Sequence, residues 1–352
     1  MYITVYSPGR SVFIFDELDN FILAQSTDLI SFSFYSVAAL GPFVLKTVFG
    51  LLFSPFNSIF NYIRNKKIEY KDFKKYSKAE IYNITRSEAL AALTSSGIWP
   101  SFIQRPFGVV ANPLDEPSAI YISAFDSSPC APDMAYIMRG KEEVFQLGIE
   151  VLNKLVNGNI HLNLDSTEIP SVFSGIEHVE THKFSGPHPA GNVGVQIHHI
   201  KPIGKNDKVW TIDPLSVARI GTLFFEGIYD ASKMVAITGS EVIHPHYVKT
   251  YSGACLDKLL DNNVKKANIR YISGNVLTGE HVGARGYLGH FDNQISVIPE
   301  GDKEEFLGWM LPSFKKLSFH RAFGLLSFLN PKKEKVLDTN TCLLYTSDAA
   351  DE

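Results

Sequence analysis

The residues most able to do chemistry sit in one loop, Ser185-Gly-Pro-His-Pro-Ala-Gly191-Asn-Val-Gly194. It follows a predicted strand. Gly186, Gly191 and Gly194 allow close approach of the backbone, and free N–H groups in such a loop cradle phosphate or another anion. Three features weaken that reading. Pro187 and Pro189 each remove a donor, the spacing is not G-x-G-x-x-G, and no helix is predicted to start directly after the loop. A structural turn is the favoured reading, with a ligand or interface loop as the alternative.

Histidines gather at His178, His182, His188, His198 and His199, and again at His244 and His246. Imidazole suits zinc or copper, but these spacings match no closed zinc site, so surface or hydrogen-bonded histidines are expected and no metal is assigned. Outside the tail the thiols are two, Cys130 and Cys255, and that count excludes an iron–sulfur cluster held by four cysteines of this chain. There is no G-x-S-x-G, H-E-x-x-H or Walker A run. Asp126-Ser-Ser128 reads as an Asx turn closing a strand. Gly274–Gly279 reads as a turn-rich β-edge with no chemistry. No catalytic residue is assigned.

The elements that must position these residues are α/β in pattern. Thr85-Arg-Ser-Glu88 has capping-box spacing ahead of a short helix stopped at Gly97. Ala119–Phe125 is a predicted buried strand and Asn159–Leu164 the next. Between them Lys141–Val156 is a helix with Val144, Leu147, Val151, Leu152 and Leu155 on one face. Strand, helix, strand makes a βαβ unit whose strands are parallel. Val179–Phe184, Val209–Ile212 and Met234–Thr238 are further strands, and Pro214–Glu226 is a helix with Pro at its first turn. Tyr247–Tyr251, a helix near Ala254–Asp261, Arg270–Ser273 and Asn293–Ile298 follow, the last alternating like a strand with one exposed face. The fold class is α/β: a Rossmann-like parallel-sheet core, then a smaller α+β module.

The chain has 352 residues, 45% hydrophobic and 20% charged, with a net charge of −4. That composition excludes disorder and a fibrous rod, and the charge argues against a dedicated nucleic-acid binder. Three cysteines exclude a disulfide scaffold. The composition is uneven. Residues 1–64 are an atypical hydrophobic segment, and Leu29–Phe60 carries only the charge of Lys46. Pro42 and Pro55 interrupt it, which fits a spanning helix poorly. Out-of-frame sequence is the favoured reading; a membrane helix and an unusual packed domain are the alternatives. Arg64–Lys78 is a basic stretch, read as a solvated linker or as a patch for acidic lipid or a partner. The tail Cys342–Glu352 resembles the translation of a sequencing-library adapter and is set aside. The expected division is 1–64, an α/β domain 65–240, a small α+β domain 241–303, the start of a helical region 304–341, and the adapter-like 342–352.

Several motifs stand in a familiar order. They are Trp99-Pro-Ser-Phe-Ile-Gln-Arg-Pro-Phe107, Ala111-Asn-Pro113, Ser123-Ala-Phe-Asp126, Phe184-Ser-Gly-Pro-His-Pro-Ala-Gly191, Val209-Trp-Thr-Ile212, Ser273-Gly-Asn-Val-Leu-Thr-Gly279 and Tyr287-Leu-Gly-His-Phe-Asp-Asn-Gln-Ile-Ser-Val297. Over about residues 65–341 the chain resembles the NqrA component of the sodium-translocating NADH:quinone oxidoreductase (Na+-NQR). The resemblance implies a peripheral subunit on the cytoplasmic face of the bacterial inner membrane, in a complex that couples NADH oxidation and quinone reduction to sodium export. It implies partners among subunits B to F, with ubiquinone or menaquinone nearby. NADH, FAD, FMN, riboflavin and the iron–sulfur centre are then expected on other subunits, with no redox cofactor bound by this chain. The family begins with a biotinyl/lipoyl-like β-domain that residues 1–64 do not resemble. It also continues well beyond Thr341, so the chain is expected to lack both ends.

If quinone or another subunit touches this chain, the candidates are Trp99, Phe102 and Arg105 in one loop and Gly186, His188 and Gly191 in the other. Two other readings stand beside this one. One is a free-standing dinucleotide-binding oxidoreductase, and the other a membrane protein anchored by Leu29–Phe60.

Overall fold

A computed structural model describes residues 2–7, 10–15, 72–166, 170–205, 207–265, 268–301 and 339. The chain divides into two compact units, residues 1–72 and 73–352. In the first, β1 (Tyr2–Ser7) and β2 (Arg10–Phe15) pair antiparallel, Tyr2 opposite Phe15 and Ser7 opposite Arg10. The expectations for Leu29–Phe60, for most of 304–341 and for the tail lie outside the described residues.

The second unit opens with two short helices, α1 (Lys78–Asn83) and α2 (Arg86–Ser95), each started by a complete capping box: Ser77 with Glu80, and Thr85 with Glu88. A 3-10 turn, Trp99–Ser101, leads into β3 (Ile103–Arg105) and β4 (Val109–Val110). The chain then builds β5 (Ala119–Ser123), α3 (Met134–Met138), α4 (Glu142–Asn153), β6 (Asn159–Asp165), β7 (Glu180–Phe184), α5 (Val193–Ile200), β8 (Val209–Ile212) and α6 (Pro214–Glu226).

One sheet has the order β4-β3-β8-β5-β6-β7. Strands β8, β5, β6 and β7 are parallel, while β3 runs antiparallel to β8 and β4 antiparallel to β3. The chain lays down β5, β6 and β7 in one direction, then returns to place β8 on the other side of β5. That is the strand order of a nucleotide-binding half, and its topological switch point lies between β5 and β8. The βαβ expectation for β5, α4 and β6 is met with parallel pairing.

Side-chain alternation divides the sheet into two unlike faces. Ile120, Ile122, Ile160, Leu162, Leu164, Trp210 and Ile212 join the main core with Phe145, Ile149 and Leu152 of α4 and Val217, Ile220 and Phe224 of α6. The opposite face is smaller and more polar. Ala119, Tyr121 and Val209 pack there with Ile197 of α5, and buried Asn163 donates to Gln196 of the same helix at 2.8 Å.

Helix α5 corrects a sequence-based expectation, since a helix does follow the glycine loop. Its sequence, VGVQIHHI, is β-branched and contains Gly194, so local propensity argues against it. Ile197 and Gln196 are nevertheless buried against the sheet, and tertiary packing overrides the local preference.

A second sheet has the order β10-β9-β13-β11-β12. Its strands are β9 (Ser232–Thr238), β10 (His246–Tyr251), β11 (Ile269–Ser273), β12 (Glu280–His281) and β13 (Gln294–Pro299), with the single-turn α7 (Leu256–Leu259) beside them. β13 is parallel to β9, and the other pairs are antiparallel. Val235, Ile237, Leu256, Leu288, Ile295 and Val297 form its core. By its pairing β9 belongs to this sheet, upstream of the 240/241 division expected from sequence.

The alternation in β13 also has a different meaning from the expected one. Gln294 and Ser296 are buried, not solvated. The Gln294 amide donates to Pro129 O, Thr238 Oγ1 and Ser296 Oγ, each at 3.1 Å. Of the polar residues that read as a wet face, Gln294 joins β13 to the loop after β5 and Ser296 donates to Gly274 O. Among the described residues no helix is long and apolar enough to cross a membrane.

Candidate functional site

In parallel sheets of this order, ligands bind beyond the carboxyl ends of the strands at the switch point. The loop after β5 lies there, the glycine loop after edge strand β7 reaches across to it, and the turn from β8 into α6 stands on its other side.

The first two touch. Ser127 Oγ lies 3.1 Å from His188 Nδ1 and accepts the Gly191 N–H at 2.8 Å. A Cβ on Gly191 would come 2.2 Å from Ser127 N, so only glycine fits. Asp126 closes the expected Asx turn by accepting the Ser128 N–H at 2.8 Å. Further along, the N–H of Ala190 donates to Pro187 O at 3.0 Å and that of Asn192 to Pro189 O at 2.8 Å. The successive N–H groups of 190, 191 and 192 are therefore turned inward and satisfied by protein oxygens.

The third connection carries a carboxylate. Asp213 caps α6, its Oδ1 accepting the Ser216 N–H at 2.9 Å, and Pro214 occupies the first helical position. An anion brought to this helix end meets a negative charge and one donor fewer.

The sequence-derived candidates fall into separate places. Gly186, His188 and Gly191 stand at the switch-point edge. Trp99 and Phe102 are buried, at 6% and 0% exposure. Their rings stack at 4.7 Å, both meet Trp210 edge-on, and the Trp99 indole donates to Ala111 O at 2.7 Å. Arg105 pairs with Val209 at the start of β8, the opposite end of the parallel strands, and its buried Nε has no hydrogen-bond partner.

The histidines are mostly engaged with neighbours. His178 lies 2.9 Å from Glu150, and His246 Nδ1 2.8 Å from His244 O. His182 meets His161, a residue the sequence pattern did not single out.

A second titratable cluster underlies the junction of the two sheets. Lys233 on β9 is 3% exposed and donates to His290 O at 2.9 Å. Burial, with the charge of Arg219, lowers its pKa to about 8, against the pull of Asp213 and Asp292. The folded state thus binds fewer protons than the unfolded chain between about 8 and 10.5. Stability therefore rises with pH across that window, and the full cost of burying the cation is felt below it. At 1.36 kcal/mol per unit the cost is about 3 kcal/mol. Lys233→Met removes it and loses one hydrogen bond of about 1 kcal/mol. Thermal melts of the two proteins should show the variant more stable by about 2 kcal/mol at pH 7, with its advantage shrinking as pH rises through the window.

The fold and site together define a Rossmann-like α/β unit with its phosphate-cradle positions closed, followed by a small mixed sheet. Residues 84–229 match the NqrA second alpha/beta domain, and residues 234–284 match the NQRA C-terminal domain. Over these residues the chain belongs to the NqrA family, the A component of the Na(+)-translocating NADH-quinone reductase. It is 37% identical over 245 residues to that component of Rhodopirellula baltica, covering 69% of this chain and 53% of the relative. The Neisseria meningitidis serogroup A relative is 37% identical over 252 residues, covering 71% and 56%. The Vibrio alginolyticus relative is 34% identical over 256 residues, covering 72% and 57%. The chain thus spans little more than half the length of these relatives.

Proposed function

We propose that this chain serves as a peripheral, cytoplasm-facing subunit of a Na+-translocating NADH:quinone reductase, whose other subunits, B to F, carry the NADH, flavin and iron–sulfur chemistry. It binds no redox cofactor itself. Its role is structural or quinone-proximal, in a complex that couples NADH oxidation and quinone reduction to sodium export. An α/β domain from 65, a small α+β domain that takes in β9 and runs to 303, and a helical region from 304 belong to the same proposal.

One observation carries the reading: the internal hydrogen bonding of the 190–192 N–H groups beside Ser127. A dinucleotide phosphate needs such groups free, and the Asp213 cap adds repulsion at the neighbouring helix end. Both argue against a free-standing dinucleotide-binding oxidoreductase. What remains at the switch point is a loop pair, Asp126–Ser128 with Gly186–Gly191, suited to meeting a partner surface or a quinone ring. His188 offers a polar atom there for a quinone carbonyl oxygen. Retention of the tagged chain by co-expressed membrane subunits of such a reductase tests the proposal.

A further inference from the structure

We propose that His161, Glu180 and His182 form a three-ligand site for a zinc-class divalent cation, with a fourth position open to solvent. Strand pairing creates the constellation. His161 on β6 lies opposite Glu180 on the parallel edge strand β7, and Asn163 lies opposite His182. With two-residue alternation all three donors point to the α5 side of the sheet. One ligand atom from each lies within 4.8 Å of the others.

The closer spacings suit a tetrahedral metal. His161 Nδ1 is 3.0 Å from His182 Nε2 and 3.2 Å from Glu180 Oε2. Ligands at 2.0–2.1 Å from a tetrahedral ion stand about 3.3 Å apart, so small shifts seat the cation. Two imidazoles and a carboxylate form a donor set of the catalytic-zinc kind, which leaves one position for water or a partner's ligand.

The neighbours hold the donors in place. His161 is buried, and its ring stacks on Tyr121 at 4.5 Å. The Glu180 carboxylate is held by the side-chain amide of Asn159. His182 is half-buried and Glu180 exposed, which gives the ion a way in. Without metal, one imidazole N–H serves the facing acceptors. With metal, His161 takes its other tautomer and all three lone pairs turn to the ion. The bound cation then staples the start of edge strand β7 to β6.

The test is calorimetric titration of the full-length, chelator-treated chain with Zn2+ alone, with Co2+ as a spectroscopic probe of geometry. The expected result is one micromolar or tighter site per chain and the absorption of tetrahedral Co2+. His182→Ala and Glu180→Gln, both at accessible positions, should each weaken it at least about tenfold, the lower bound of what even an outer-shell change costs at such sites. The double variant His244→Ala/His246→Ala should bind as the parent does. Equal affinity in the parent and both ligand variants would overturn the proposal. So would binding only in the millimolar range, or loss in the His244/His246 variant.

Discussion

Gly221→Ala is expected to destabilise the chain by about 3 kcal/mol, the upper end of overpacking penalties. Helices α4 and α6 meet backbone to backbone, and glycine makes that approach possible. A Cβ on Gly221 would come 1.8 Å from Val144 O, and one on Gly148 would come 2.1 Å from Val217 O. These obstacles are main-chain atoms on both sides, so no side chain can swing away to make room. Either the helices part, opening the core between Phe145, Ile149, Val217 and Ile220, or the new methyl stays in collision. In α/β domains of this size 1 kcal/mol moves the melting temperature by about 2–4 °C, which gives a fall of roughly 10 °C. Thr222→Ala, one residue along the same helix, provides the control, with a change below about 1 kcal/mol. An unchanged melt in Gly221→Ala would mean that the helices do not cross there.

Phe102→Ala should cost more, about 4 kcal/mol by the usual toll of emptying a buried aromatic site. Phe102 has no exposed surface and lies against Trp99 and Trp210. Its removal leaves a cavity under the 3-10 turn, and both indoles lose a neighbour. Thermal melting and near-ultraviolet circular dichroism, which reports on Trp packing, give the measurement. A stable variant with native dichroism and altered quinone binding would instead make Phe102 a cleft residue. The same comparison decides how far the Trp99–Arg105 loop belongs to any binding surface.

Elements whose local signals agreed with their packing were legible in the sequence. Strand β8 and helix α6 match expectation at both ends, because Asp213 caps, Pro214 starts and left-handed Gly227 stops the helix. Strand β5 was legible as an apolar run and β6 as the next strand after an amphipathic helix, and the order of the family motifs led to the family. What was missed depends on contacts between distant residues. Helix α5 exists through burial of Ile197 and Gln196 against a polar sheet face, and no helix propensity marks it. The wet-looking side of β13 is covered because Gln294 reaches Pro129. His161 escaped notice because it is isolated in sequence, and only the register of β6 on β7 brings it to Glu180 and His182. In the aromatic loop, Trp99 and Phe102 were candidates for a quinone or partner contact by residue type, and the fold buries both in the core.

We propose that a nucleotide-domain-like shell, the N–H groups of its glycine loop already satisfied by protein oxygens, works as a docking part of a larger redox complex. The most direct measurement is affinity purification of the tagged chain after co-expression with the membrane subunits of a Na(+)-translocating NADH-quinone reductase. The chain is expected to survive detergent extraction in a fixed one-to-one ratio with those subunits. Purified alone, it is expected to carry neither flavin nor nicotinamide. A chain recovered free of the membrane subunits and holding a dinucleotide of its own would contradict it.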